Sequence, residues 1–255
     1  MKINKIYNED CLETMQRMPD NFVDLIVTSP PYNMTKRTDD YNNRYDVYYD
    51  NLDEKEYLLW SNKIFNNFDK ILNSKGVVLY NFSYSHENPI LPYLLINEIH
   101  NKTNFTIADT LFWKKNNAIP LSTSPTKLTR FVEFIFVMVR KNELYSFNTN
   151  KKIKSINDKT KQNFYEIFPN FINAKNNDGS VELNKATFSS ELIRKLLLMY
   201  AKEKSLVYDS FMGTGTTAQA CIMENMNFLG SELSKKQVDF ANKRLVPYLT
   251  QTKLF

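Results

Sequence analysis

Hydrophobic positions along this chain fall into short continuous runs and helically spaced stripes, and the two kinds alternate. Val23 to Thr28 is an apolar run ending at Ser29-Pro30-Pro31, which predicts a buried strand stopped by proline, with a loop at its C-terminal end. From Glu54 to Leu72, Tyr57, Leu58, Phe65, Phe68, Ile71 and Leu72 recur at helical spacing, and Gly76 then precedes a second buried strand, Val77 to Tyr80. Phe105 to Trp113 and Phe131 to Val139 are rich in β-branched and aromatic residues and predict strands. Lys141-Asn142-Glu143 is expected to turn the latter back into Leu144 to Phe147 as a hairpin. Ser190 to Tyr200 is helical by the spacing of Leu192, Ile193, Leu196, Leu197 and Tyr200. Ser205 to Tyr208 predicts a strand, a helix follows Gly215, and Asn227 to Gly230 predicts another short strand. Ser234 and Gln237 form a capping-box signature for a last helix through Leu245.

Strands alternating with helices imply an α/β fold, a mostly parallel sheet with helices on both faces, here with one antiparallel hairpin. Ligands in such folds bind at the C-terminal ends of strands. The chain reads as a single domain over 1–255, with a core of 1–140 and 184–255 and a small insertion at 141–183. Inside that insertion, Lys151 to Asn163 carries five lysines against one acid, Asp158, and reads as an exposed loop.

Composition narrows this further. With 255 residues and 42% hydrophobic content the chain can bury one sizeable core. No window approaches the ~20 consecutive apolar residues of a membrane span, and Met1 to Asp10 has no apolar signal-peptide core. Two cysteines, Cys11 and Cys221, cannot build a disulfide framework, so a reducing cytoplasm fits best. The two histidines, His86 and His100, lack a second ligand at metal-site spacing, which argues against a catalytic zinc. A net charge of +5 is compatible with a polyanionic partner but does not by itself identify one.

Two segments carry the candidate chemistry. Of five glycines, Gly213 and Gly215 lie in Asp209-Ser210-Phe211-Met212-Gly213-Thr214-Gly215-Thr216-Thr217, between a predicted strand and a predicted helix. Alone, that pair equally fits an ordinary strand-to-helix turn. No lysine follows as in a phosphate-binding P-loop, and the third glycine of a dinucleotide fingerprint is missing. Glu232 ends the next strand and can accept hydrogen bonds from both hydroxyls of a ribose, so an adenosine-type ligand fits the pairing. The second segment is Thr28-Ser29-Pro30-Pro31-Tyr32-Asn33. Neither proline has an N–H, so carbonyl oxygens stand beside the Ser29 hydroxyl and the Tyr32 ring, a set able to hold a planar heterocycle with an amino group. In isolation a rigid turn with a core tyrosine is the better explanation.

Taken together, the two segments closely resemble the bacterial amino-methyltransferases of DNA, in the β-class order with the catalytic motif first. The resemblance spans most of residues 3–140 and 184–248 and extends to Asn8-Glu9-Asp10-Cys11-Leu12, Trp113-Lys114-Lys115 and Arg130 to Glu133. It implies a Rossmann-like S-adenosylmethionine-dependent methyltransferase fold. The implied catalytic loop is Ser29, Pro30, Pro31 and Tyr32. The implied cofactor-binding residues are Asp10, Cys11, Thr28, Thr187, Phe188, Asp209, Phe211, Gly213, Gly215, Thr216, Thr217 and Glu232. The chain departs from the family pattern where Asn8-Glu9 replaces a glycine before Asp10, where Ser210 replaces a commoner proline, and in Asn184 to Ser189, which lacks the usual His and both prolines.

The implied reaction is direct transfer of the methyl group from S-adenosylmethionine to the exocyclic amine of a flipped base. Ser29 and the Pro30 carbonyl would accept the amine's protons and Tyr32 would stack on the base. A Pro-Cys pair, needed for C5 chemistry, is absent. Ser-Pro-Pro-Tyr is commoner among cytosine-N4 enzymes of the family, which favours that base, with adenine N6 as the alternative. An RNA methyltransferase and a catalytically silent DNA-binding protein also fit the two segments. Double-stranded DNA is the expected partner, a cognate restriction endonuclease a further candidate, and monomer and homodimer are both open. Lys36, Arg37, Arg44, Lys115, Lys151, Lys152 and Lys154 are the candidate DNA contacts.

Overall fold

The computed structural model describes residues 1–33, 47, 48, 50–86, 88–118, 120–178 and 188–251. The chain opens with β1 (Lys5–Tyr7), α1 (Cys11–Arg17), β2 (Val23–Thr28), α2 (Glu54–Ile71), β3 (Leu72–Phe82), α3 (Leu91–Lys102), β4 (Phe105–Lys115) and β5 (Val132–Arg140). It continues with β6 (Ile153–Ile156), β7 (Asn163–Tyr165), β8 (Phe171–Ala174), α4 (Ser190–Tyr200), β9 (Leu206–Asp209), α5 (Thr216–Met223), β10 (Asn227–Ser231) and α6 (Lys235–Gln251).

One eight-stranded sheet has the order β1-β10-β9-β2-β3-β5-β4-β8. The pairs β1/β10, β10/β9, β9/β2 and β2/β3 are parallel, while β5 runs antiparallel to both β3 and β4. Period-two alternation divides each strand between two cores. Leu25, Val27, Val77, Leu79, Ile135 and Val137 face α4, α5 and α6, packing with Leu192, Leu196, Ala218 and Ala241. Ile26, Val78, Tyr80, Phe136 and Met138 face α1, α2 and α3, packing with Met15, Phe65, Phe68 and Leu95. The sheet is thus the middle of three layers. Parallel strands buried on both faces read as continuous apolar runs, which is why β2 and β9 carry no alternation in their sequences.

The expected α/β architecture with an antiparallel hairpin is present, but the hairpin lies elsewhere. Leu144 to Phe147 forms no strand; Lys141–Glu143 is a single 3-10 turn, and β5 pairs with the preceding β4 and with β3. The Glu143 carboxylate accepts the backbone N–H of Lys75 at 2.9 Å, and Arg140 holds Asp69 and Glu143, so this turn is tied to the end of the sheet and leads away from it. β1, α1 and α3 are elements that the periodicity did not announce. The carboxylate of Asp10 caps α1 by accepting the Leu12 N–H at 2.7 Å.

Within the expected insertion, β8 is a strand of the main sheet, paired in parallel with β4 from Phe112↔Phe171 to Lys115↔Ala174. Among the described residues, only β6 and β7 form a separate two-stranded sheet, and every residue in both is exposed. No helix among the described residues is long and apolar enough to cross a membrane.

Candidate active site

β2 and β9 lie side by side although they come from opposite ends of the chain, so their C-terminal ends form the point where the sheet order reverses. Such a switch point opens a crevice between the loops that leave the two strands. Here the loops are the proline-proline-tyrosine segment and the glycine-rich segment, 181 residues apart in sequence at their joint. That joint is Asp209, fully buried: Oδ1 accepts the Thr28 hydroxyl at 2.8 Å and the Phe211 N–H at 3.0 Å, and Oδ2 accepts the Thr217 hydroxyl at 2.5 Å. Burial pushes the Asp209 carboxyl up to about 6, against the pull of these three hydrogen bonds.

The glycine-rich turn takes left-handed backbone at Gly213 (φ 54°) and Gly215 (φ 83°), and Gly215 caps α5. A side chain on Gly215 would meet the Cβ of Ala241 at 2.8 Å, so this glycine serves the packing of α5 on α6. Gly213 lines the pocket, and its N–H donates to Glu232 Oε2 at 2.9 Å, while the Ser234 N–H donates to Oε1 at 2.9 Å. The Glu232 carboxylate therefore stands at the rim, oriented by two backbone amides.

On the other side, the Ser29 and Tyr32 hydroxyl oxygens are 2.8 Å apart and the Tyr57 hydroxyl donates to the Pro31 carbonyl at 2.7 Å. One of the proline carbonyls is thus satisfied within the fold. The Tyr32 ring leans on Phe82 with centroids 4.9 Å apart, and Trp60 meets Phe211 at 5.6 Å. The buried Asp50 carboxylate accepts the Asn33 N–H at 2.7 Å.

One pocket unites these pieces. Glu9, Asp10 and Cys11 line it, as do Ser29 to Tyr32, Asp50, Trp60, Phe188, Ser210 to Thr214, Thr216, Glu232 and Gln237. Its charged walls are Glu9, Asp10, Asp50 and Glu232, with no lysine or arginine among the described lining residues. An acidic wall of this kind, in which Glu9 is already paired with Arg17, disfavours a phosphate and accommodates a cationic ligand. The Thr214 hydroxyl is buried in this wall without a hydrogen-bond partner among the described residues, which leaves a polar group for a ligand to satisfy. An adenosine carrying a sulfonium and an ammonium group, as in S-adenosylmethionine, matches both features. Burial raises the thiols of Cys11 and Cys221 well above their ordinary range, so neither is a ready nucleophile.

Of the cofactor residues expected from sequence, Asp10, Cys11, Phe188, Phe211, Gly213, Thr216 and Glu232 line the pocket. Thr28, Asp209, Gly215 and Thr217 do not; they form the joint and the helix packing behind it. Thr187 lies outside the described residues, as do Lys36, Arg37 and Arg44. Lys115, expected on DNA, instead pairs with Glu133, both side chains being largely buried at 16% and 13% exposure, so its charge is already matched inside the protein. Lys151, Lys152 and Lys154 are exposed at the β6 end of the separate hairpin. Sequence reading missed Tyr57, Trp60 and Thr214, and gave no role to Asn81 and Glu133. Tyr57 sits in a helical stripe where it looks like ordinary core, Trp60 lies in the same helix outside that stripe, and only Thr214 carried a signal, its place between the two glycines.

The family model described as DNA methylase, of the N6/N4 type, matches residues 23–243. The Type II methyltransferase M.BglII of Bacillus subtilis is 26% identical over 255 residues, covering 94% of this chain and 68% of its own length. M.HinfI of Haemophilus influenzae, also named a Type II methyltransferase, is 26% identical over 254 residues, covering 95% of this chain and 68% of its own. Among solved structures, the PvuII DNA methyltransferase, named cytosine-N4-specific, superposes with a TM-score of 0.73 at 19% identity, over 94% of this chain and 85% of its own. The M1.HpyAVI–SAM complex superposes with a TM-score of 0.60 at 22% identity, over 94% and 98%. These structures share the fold.

Proposed function

This chain belongs to the DNA methylase family, the S-adenosylmethionine-dependent amino-methyltransferases of DNA, and we propose that the amine it methylates is N4 of cytosine in double-stranded DNA. The observation that carries the reading is that Ser29 and Tyr32 line the same pocket as Gly213 and Glu232. A serine at the first position of the Pro-Pro-Tyr motif supports cytosine, and the PvuII enzyme, which shares the fold and is named cytosine-N4-specific, agrees with it.

When bound, S-adenosylmethionine supplies a methyl group activated by its sulfonium. Asp10, Phe188, Phe211, Gly213, Thr214 and Glu232 would hold it, Glu232 accepting from the ribose hydroxyls and the aromatic rings covering apolar parts. On the opposite wall, Ser29 Oγ and the Pro30 carbonyl accept the N–H bonds of the target amine and fix its lone pair toward the reaction line. They also favour the positive charge that develops on that nitrogen. Tyr32, braced by Phe82, offers its ring to a base swung out of the duplex, since a stacked base cannot enter this pocket. The exposed lysines of the β6–β7 hairpin supply phosphate contacts as part of a target-recognition element. A cognate restriction endonuclease is the partner we assign, on the Type II names of the relatives.

The test is incubation with radiolabelled S-adenosylmethionine and unmethylated genomic DNA, followed by identification of the labelled nucleoside. N4-methylcytosine is the expected product, and N6-methyladenine would refute the choice of base. Ser29→Ala should lower methyl transfer about 100-fold or more with little change in cofactor affinity; full activity in that variant would refute the role of Ser29.

A further inference from the structure

Behind the catalytic loop sits a polar cluster that the proposed reaction leaves unused. Glu133 lies near the start of β5, Lys115 ends β4, and Asn81 lies one residue from the end of β3. Glu133 Oε2 accepts the Tyr32 hydroxyl at 3.2 Å and the Asn81 amide N–H at 3.0 Å, and Oε1 accepts Lys115 Nζ. The Asn81 amide also faces Tyr32 Oη at 3.0 Å and the Phe134 carbonyl at 3.3 Å, so its two N–H groups are shared among three acceptors. A carboxylate and a carbonyl can only accept, so the orientation of that amide is settled by its partners. Asn81, Lys115 and Glu133 do not line the pocket.

Counting protons then decides the polarity of the loop. Tyr32 has one hydroxyl proton, and the Glu133 carboxylate, which can only accept, faces it at 3.2 Å. The Tyr32 oxygen accepts from Asn81, and Ser29 Oγ lies 2.8 Å from it. With the tyrosine proton turned to that carboxylate, the 2.8 Å bond is made by the Ser29 proton. Its single proton is therefore turned to Tyr32, and its lone pairs are left for the pocket.

We propose that Glu133, held by Lys115, is a positioning residue that makes Ser29 an obligate acceptor by acting through Tyr32. This gives the pocket a chemical selectivity: an amino edge meets lone pairs, whereas an oxo edge, as on thymine or uracil, meets an acceptor with no proton to offer. The inference rests on the placing of Ser29 against the target amine.

In Glu133→Gln the amide is able to donate to Tyr32, which frees the tyrosine proton for Ser29 and lets the serine proton turn into the pocket. The measurement is kcat on unmethylated genomic DNA with tritiated S-adenosylmethionine, with cofactor affinity by calorimetry, for the wild type, S29A, Y32F, E133Q and the double variant Y32F/E133Q. E133Q should lose about 10–100-fold in kcat while cofactor affinity stays within about threefold. The double variant should be no slower than the slower single variant, because both changes act through one hydroxyl. Wild-type kcat in E133Q, or losses that multiply in the double variant, would overturn the proposal. If E133Q fails to fold because Lys115 is left unmatched, K115Q/E133Q removes both charges and should show the same loss; wild-type kcat there overturns it equally. S29A at full rate would overturn the reading beneath, whereas an inactive S29A beside an unimpaired E133Q would overturn this inference alone.

Discussion

Asp209→Asn tests the joint between the two loops. The carboxyl of Asp209 has a folded-state value of about 6 against 3.8 for the free side chain, with burial as the main cause. A folded value above the unfolded one means that the native state binds the proton more tightly. The group's contribution to stability is therefore complete below about pH 4 and is lost as pH rises through about 6. The gap between 3.8 and about 6 corresponds to about 3 kcal/mol at pH 7. Asparagine keeps an oxygen for the Thr28 hydroxyl and the Phe211 N–H, and its amide can donate to Thr217, whose hydroxyl accepts as readily as it donates. The variant thus removes the titration while keeping the geometry. Urea unfolding of both proteins at intervals between about pH 4 and pH 7.5 gives the difference in stability, in which the other carboxylates cancel. That difference should move by about 3 kcal/mol in favour of the Asp209→Asn protein as pH rises, then level off above about pH 7. A flat difference across the range, or movement the other way, would refute the claim that burial and not the three hydrogen bonds governs this acid.

Gly213→Val places a β-branched side chain on backbone at φ 54° beside the pocket, so cofactor binding should disappear in calorimetry; normal binding would show that the turn tolerates a side chain. Tyr57→Phe removes the donor to the Pro31 carbonyl in a fully buried position and should cost about 1–3 kcal/mol in urea unfolding, together with a slower methyl transfer. Replacing Lys151, Lys152 and Lys154 together by Gln should weaken DNA binding and flatten its salt dependence by up to about 3 in log-log slope, leaving cofactor affinity unchanged. An unaltered slope would remove these lysines from the DNA interface.

The segments whose structure was legible are those in which local pattern and tertiary demand agree. β2 runs from Val23 to Thr28 and α4 from Ser190 to Tyr200, as their apolar spacing predicts, because a parallel strand and an amphipathic helix each write their burial into consecutive residues. α1 was missed because seven residues hold too few turns for a stripe, and its start depends on one capping carboxylate. The misplaced hairpin has a different cause. Lys141 to Glu143 has the composition of a turn, but β5 finds its partners in β3 and β4, where Phe134, Phe136 and Met138 can be covered, and strand pairing follows burial over proximity.

The chemistry of this protein divides along the same line. Residue identity alone supplied two motifs with their Ser29, Tyr32, Gly213 and Glu232, because each motif needs particular atoms on a short stretch of backbone. What only the tertiary structure decided is which of those residues meet the pocket and which hold it. Thr28 and Asp209 are joined across β2 and β9 and face inward. Lys115 is turned from a candidate phosphate contact into the partner of Glu133. The physical reason is that hydrogen bonds between residues distant in sequence leave no trace in local spacing, yet once buried each donor must find an acceptor, and that requirement assigned the roles.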